Sequence, residues 1–202
     1  MMKHLRTVDD VMTHAVISVD RGAPFKEIVE AMRQWRISAL PVLSEEGRVA
    51  GVVSEADLLL KAQGADESRA VTAGQLMTVP AVTVTKDASI ASAARLMARG
   101  HLKRLPVIDA DGRLVGVVSR GDLLKIYLRP DADIAEELRE LIMAELIPAG
   151  SAMVQVHVAN GIVQLDGSVH DPPLKDVLVR VVRTVPGVVD VTAMRLGSEV
   201  PA

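Results

Sequence analysis

The sequence predicts an α+β protein: two tandem βαββα units forming a pseudo-twofold module, followed by a small αββαβ segment. Three observations predict it. Motifs recur at a constant offset of 65 residues. Each copy alternates short apolar runs with helical apolar spacing. The charge balance reverses near residue 130.

The offset holds without a gap. Met12-Thr13 returns as Met77-Thr78, Leu40-Pro41-Val42 as Leu105-Pro106-Val107, and Gly47-Arg48 as Gly112-Arg113. Gly51-Val52-Val53-Ser54 returns as Gly116-Val117-Val118-Ser119, and Asp57-Leu58-Leu59 as Asp122-Leu123-Leu124. The implied domains are 1–66, 67–129 and 130–202.

Each unit starts with a short helix, around Val8–Met12 or Ala73–Met77. Val16-Ile17-Ser18-Val19 and Ala81-Val82-Thr83-Val84 are too short for a helix and suit a strand. A helix follows, because Phe25, Ile28, Val29 and Met32, like Ile90, Ala93, Ala94 and Met97, keep one apolar phase. Pro24 suits its first turn and Gly100 its end. Leu40–Leu43 with Val49–Val53, and Leu105–Ile108 with Leu114–Val118, read as hairpins around turn glycines. A second helix starts at Ser54 or Ser119. The polar stretch Gly64–Arg69 links the units, and Pro130 ends the last helix.

Residues 131–202 carry 5 basic and 11 acidic residues, net −6, against net +3 before them. Ile134, Leu138, Leu141, Ile142 and Leu146 mark a helix stopped by Pro148. Val154, Val156 and Val158 alternate with polar residues, as a half-buried strand does. Asn160-Gly161 is a hairpin signal, returning as Ile162–Leu165. A helix from about Pro172 to Thr184, a turn at Pro186-Gly187 and a strand at Val188–Val191 complete the order.

Composition excludes several function classes. Of 202 residues, 49% are hydrophobic but only 1% aromatic, which removes the stacking platforms of single-strand nucleic-acid binding. A formal charge of −3 gives no global basic field, so no nucleic acid is expected as partner. With no Cys there is no disulfide, thiol catalysis or Cys-ligated metal. No apolar run reaches about 18 residues, and the N-terminus turns acidic where a signal peptide would be apolar. A soluble cytoplasmic protein is the expectation.

The motif Ile37-Ser38-Ala39-Leu40-Pro41, or Leu102-Lys103-Arg104-Leu105-Pro106, followed by Gly-Val-Val-Ser-x-x-Asp, resembles the CBS domain. Two in tandem resemble a CBS pair, or Bateman module, over residues 5–128. Val163–Val169 with Val185-Pro186-Gly187-Val188 resembles a BON domain. The first resemblance implies a regulatory adenosine ligand (AMP, ADP or ATP, with NAD(H) or S-adenosylmethionine as further candidates) in clefts between the repeats. No cofactor is required, and a disc-like homodimer is implied. In that family the Ser meets phosphate, the Asp meets the ribose hydroxyls, and the first strand and the strand before the Pro line the adenine.

Carried over, one site combines Ser119 and Asp122 with Ile37, Ser38, Ala39, Thr13, Ile17 and Ser18, and Lys103, Arg104 and Arg120 reach its phosphates. The other combines Ser54 and Asp57 with Leu102–Arg104, Thr78, Val82 and Thr83, and Glu55 stands there in place of Arg120. Tighter binding is expected at the Ser119/Asp122 site. The residue types fit independently of family. Helix N–H groups and a hydroxyl suit a phosphate, and a carboxylate suits a diol.

Plainer readings stand beside these. Ser-x-x-Asp also fits a helix capping box. Asp109-Ala110-Asp111-Gly112 lacks the Glu of a calcium loop and reads as a turn. The five His show no paired spacing for zinc, and the nine Met read as core filler. Gly167 and Gly187 read as backbone requirements. Trp35, in the place of Gly100, is a lid or an interface anchor. No Walker loop, Gly-x-Ser-x-Gly elbow or His-Glu-x-x-His occurs, so no catalysis is expected.

The reading is a regulatory adenine-nucleotide sensor, in which ligand between the repeats shifts the BON domain. The alternative is a scaffold, with the CBS pair dimerising and the BON domain attaching to a protein or membrane surface. A third is a subunit of an enzyme whose catalytic domain lies on another chain. BON domains imply membrane-surface or phospholipid attachment. The net −6 argues against simple attraction to anionic lipid.

Overall fold

The computed structural model describes residues 6–63, 71–146, 152–169 and 172–197. The linker at 64–69 and Pro148 lie outside them. The chain divides into two compact units, one spanning Arg6–Leu123 and one running from Leu124 onward.

In the first unit, each repeat forms a three-stranded sheet. Repeat 1 holds β1 (Val19–Asp20), α1 (Phe25–Trp35), β2 (Ala39–Leu43), β3 (Val49–Ser54) and α2 (Glu55–Gln63). Repeat 2 holds α3 (Ala73–Leu76), β4 (Val84–Thr85), α4 (Ile90–Arg99), β5 (Arg104–Ile108), β6 (Leu114–Ser119) and α5 (Arg120–Leu123). In both, the first strand runs parallel to the second and the second antiparallel to the third. The turn glycines Gly47 and Gly112 sit at φ +74° and +79°, which is the conformation that hairpin turns assign to glycine.

The helical apolar stripe is narrower than the spacing predicts. Ile28 and Met32 are buried, as are Ile90, Ala93 and Met97, but Val29 and Ala94 face outward. Gly100 caps the end of α4 as expected, at φ −87°, and the left-handed residues at the two helix ends are Arg36 and His101. The first strands are shorter than expected. Only Val19-Asp20 and Val84-Thr85 pair within the sheets, and residues 14–18 and 79–83 carry no regular structure.

The lead-in segments cross between repeats. Ala73 is fully buried in the core of repeat 1, among Ile28, Leu40, Val42 and Val53. Its N–H donates to Ala23, and Gly74 donates to Arg21. Reciprocally, the N–H groups of Val8 and Asp9 donate to Ala88 and Lys86 of repeat 2. The expected short helix is present at Ala73–Leu76 but is reduced to a single hydrogen-bonded turn at residues 8–12. The two hairpins also meet. Val49 donates to Gly112 and Leu114 donates to Gly47, setting Arg48 opposite Arg113. The two lobes therefore face each other about a pseudo-twofold axis.

The second unit comprises a 3-10 segment (Leu124–Leu128), α6 (Asp131–Leu141), a π turn (Ile142–Leu146), β7 (Ala152–Ala159), β8 (Ile162–Val169), α7 (Pro172–Val182) and β9 (Asp190–Gly197). β7 and β8 form the Asn160-Gly161 hairpin, and β9 adds parallel to β8. Ile134, Leu138, Val156, Leu165, Leu178 and Val182 fill its core. The carboxylate of Asp131 accepts the N–H groups of Asn160 at 2.7 Å and Gly161 at 2.8 Å. Arg129 and Glu137 form a buried pair at 2.8 Å, and Arg129 also donates to the Pro186 carbonyl.

Candidate functional site

Both Ser-x-x-Asp motifs fold alike at the junction of a strand and a helix. In repeat 2, Asp122 Oδ2 accepts the Ser119 N–H at 2.9 Å and the Ser119 hydroxyl at 2.7 Å. The Asp122 N–H donates back to Ser119 Oγ at 3.2 Å. In repeat 1 the corresponding distances for Ser54 and Asp57 are 2.8, 2.6 and 3.4 Å. The capping box is therefore real in both repeats, and it fixes the orientation of each carboxylate at the start of a helix.

The lead-in of each repeat reaches the strand of the other. Thr13 exchanges two backbone hydrogen bonds with Val117, both 2.9 Å, two residues before Ser119. Thr78 does the same with Val52, at 2.9 and 3.3 Å, two residues before Ser54. Thr13 and Thr78 are exposed. Ile17, Ser18 and Thr83 are half-buried, and Val82 is exposed. Ile17 and Ile37 also pack against the core of repeat 1.

Within each repeat, strand register decides which side chain faces the Ser. Arg104 lies opposite Ser119 and Ala39 lies opposite Ser54, and opposite residues project from the same face of a sheet. Ser38 accepts the Glu55 N–H through its carbonyl, and Lys103 accepts that of Arg120. Arg120 Nε donates to the Leu102 carbonyl at 2.9 Å, which holds its guanidinium at the start of α5. Lys103 is exposed.

One feature stands apart energetically. Arg104 Nε is buried with no hydrogen-bond partner. A buried donor left unpaired costs about 1–3 kcal/mol, and more when charged. Sequence reasoning placed Arg104 near phosphate but could not see that its Nε is orphaned. It also missed the glycine contacts. A Cβ on Gly116 would lie 2.5 Å from Met12 Sδ, and one on Gly51 would lie 2.6 Å from Met77 Sδ. The repeated Met-Thr pair was the available signal for that contact.

Residues 8–64 and 73–129 match the CBS domain, over more than half of the chain. The chain belongs to the CBS domain family. Residues 130–194 match the BON domain. The CBS domain-containing protein YhcV of Bacillus subtilis is 33% identical over 121 residues, covering 59% of this chain and 84% of that one. The inosine-5'-monophosphate dehydrogenase of Methanocaldococcus jannaschii is 28% identical over 144 residues, and the match spans only 28% of that enzyme. Among solved structures, a complex of CBSX2 with AMP superposes with a TM-score of 0.55 at 30% identity, covering 60% of this chain and 96% of that one. CBSX2 from Arabidopsis thaliana is likewise similar, at a TM-score of 0.54. The cytosolic domain of the Mg2+ channel MgtE in complex with ATP superposes with a TM-score of 0.53 at 31% identity, over 60% of this chain and 48% of that one.

Around the CBS pair, among the described residues, no group of three or more His, Asp or Glu stands where it could hold a metal ion. No described helix is long and apolar enough to cross a membrane.

Proposed function

We propose that the protein is a non-catalytic regulatory sensor of adenine nucleotides of the AMP, ADP or ATP class. The ligand sits at Ser119 and Asp122, between the repeats of the CBS pair, and its occupancy is passed to the BON domain. The observation that carries this reading is the Ser119–Asp122 cap at the start of α5 with Arg104 cross-strand from Ser119. The half-buried Arg104 guanidinium offers a phosphate a charge-assisted bond. Asp122, oriented by its cap, faces the ribose diol. Thr13–Ser18 and Ile37–Ala39 line the base. The AMP complex of CBSX2 and the ATP complex of MgtE support the ligand class.

Ligand can move the protein only through different affinities for two arrangements. The crossed lead-ins offer a route, because Met12-Thr13 touches β6 directly beside the site. A cytoplasmic location agrees with such a ligand.

Thermal shift with AMP, ADP and ATP tests the reading. A ligand at 100 times its Kd stabilises by about 2.7 kcal/mol, roughly 5–10 °C for a chain of this size. Asp122→Ala removes that shift. No shift with any of the three nucleotides overturns the proposal.

A second reading, a dimeric scaffold, draws on the exposed Trp35, Leu59 and Leu60 of α1 and α2. A dimer in sedimentation that ignores every nucleotide would favour it.

A further inference from the structure

The sheet of the second unit has the order β7-β8-β9, and among the described residues β7 pairs with β8 alone. The open side of such a strand is a row of unpaired N–H and C=O groups that can template another strand, and natural edges are blunted by charges, proline or a bulge. β7 has none of these. Ala152-Met153-Val154-Gln155-Val156-His157-Val158-Ala159 contains no Lys, Arg, Asp, Glu, Pro or Gly, and its register with β8 runs without a shift. The opposite edge is guarded. β9 carries Asp190 and Arg195, and its register with β8 shifts between Val163 and Gln164.

The turn fixes which groups face the open side. Asn160 and Gly161 sit at φ 52° and 72°, as in a two-residue hairpin turn whose flanking residues, here Ala159 and Ile162, exchange both backbone hydrogen bonds. Alternation then directs the N–H and C=O groups of Val154, Val156 and Val158 away from β8. Their side chains face the core, Val156 buried and Val154 and Val158 half-buried, while Gln155 and His157 are exposed on the other face. The run Val-Gln-Val-His-Val keeps the same apolar and polar order in either direction.

We propose that β7 pairs antiparallel with β7 of a second copy of this chain, about a twofold axis at Val156, so that the two three-stranded sheets join into one. Such an interface is isologous, and the strand's match to itself identifies the occupant. Val156 meets its counterpart, Val154 meets Val158, and Gln155 meets His157. The open N–H and C=O groups of all three valines find partners, the valine rows continue along the covered face, and no like charges oppose each other. A register shift of two residues sets Gln155 against Gln155 or His157 against His157 and loses the amide–imidazole pairs. The inference stands apart from the nucleotide reading.

Sedimentation velocity and NMR amide exchange of the full chain, without nucleotide and over a range of micromolar concentrations, test this. The amides of Val154, Val156 and Val158 are expected to gain protection as concentration rises, in step with the sedimenting mass. The double variant Gln155→Lys, His157→Lys sets lysines opposite each other on both sides of the axis. It weakens this association by about tenfold or more, and the three amides lose their protection. Both positions are exposed, so the fold is expected to stand, with the other β7 and β8 amides unchanged. The double variant Gln155→Lys, His157→Glu sets opposite charges across the axis and associates at least as tightly as wild type. Protection of the three amides that does not follow concentration overturns the inference. So does concentration-dependent protection that persists in the Lys/Lys variant, or that is lost equally in the Lys/Glu variant.

Discussion

Gly116 shows how a single residue carries the contact between repeats. Its missing side chain is filled by the Met12 thioether, and the Thr13 carbonyl lies 3.1 Å from where a Cβ would sit. The methionine can bend away, but a backbone carbonyl held in a two-bond pairing with Val117 cannot. Gly116→Ala is therefore expected to destabilise the CBS pair by about 1–3 kcal/mol, read as a lower urea midpoint. An unchanged midpoint would show that the lead-in shifts freely. Arg129 and Glu137 form a buried ion pair within the second unit, with side chains 7% and 5% exposed. Glu137→Ala leaves a buried guanidinium without its carboxylate and is expected to cost about 3–5 kcal/mol. A loss below about 1 kcal/mol in chemical denaturation would refute that. The spacing of the helix shows Glu137 only as one acid among several. Its burial follows from a pairing eight residues back that no periodicity encodes.

At the scale of elements, strands and helices follow local pattern wherever one face is buried. The hairpins appear at their turn glycines, and the Val154–Val158 alternation becomes β7. The first strands do not follow pattern: only Val19-Asp20 and Val84-Thr85 pair within the sheets, and Ile17 packs against the core of its own repeat without strand pairing. An apolar run has the same composition whether its partner is a strand or a lobe. Caps behave differently again. The tip of the β7–β8 hairpin is held by Asp131, an acid 29 and 30 residues earlier in the chain. Asp131→Ala removes the acceptor for two N–H groups and is expected to lower stability by about 1–2 kcal/mol. Proton NMR should show faster amide exchange at Asn160 and Gly161; unchanged protection there would mean that water replaces the carboxylate without loss.

Across the whole CBS pair, neither repeat completes its own core. Ala73 closes repeat 1 and the turn at Val8–Met12 docks on repeat 2, so the pair is expected to unfold as one cooperative unit. Val8 is fully buried, and Val8→Ala should cost about 2 kcal/mol. Hydrogen exchange should place the loss in repeat 2, at the Val117 amide, as well as globally. A loss confined to repeat 1 would contradict the crossing.

The amino-acid order by itself determined the duplication, the element types, the family and the Ser–Asp caps, because each rests on spacing along one chain segment. It also supplied the contrast of Arg120 after one Ser with Glu55 after the other. Only the tertiary structure decided which lobe each lead-in completes, that Arg104 faces Ser119 with an orphaned Nε, and that Gly51 and Gly116 receive methionines. Those are matters of distance between residues far apart in sequence. Register and the crossing of chains set such distances, and residue spacing alone does not encode them.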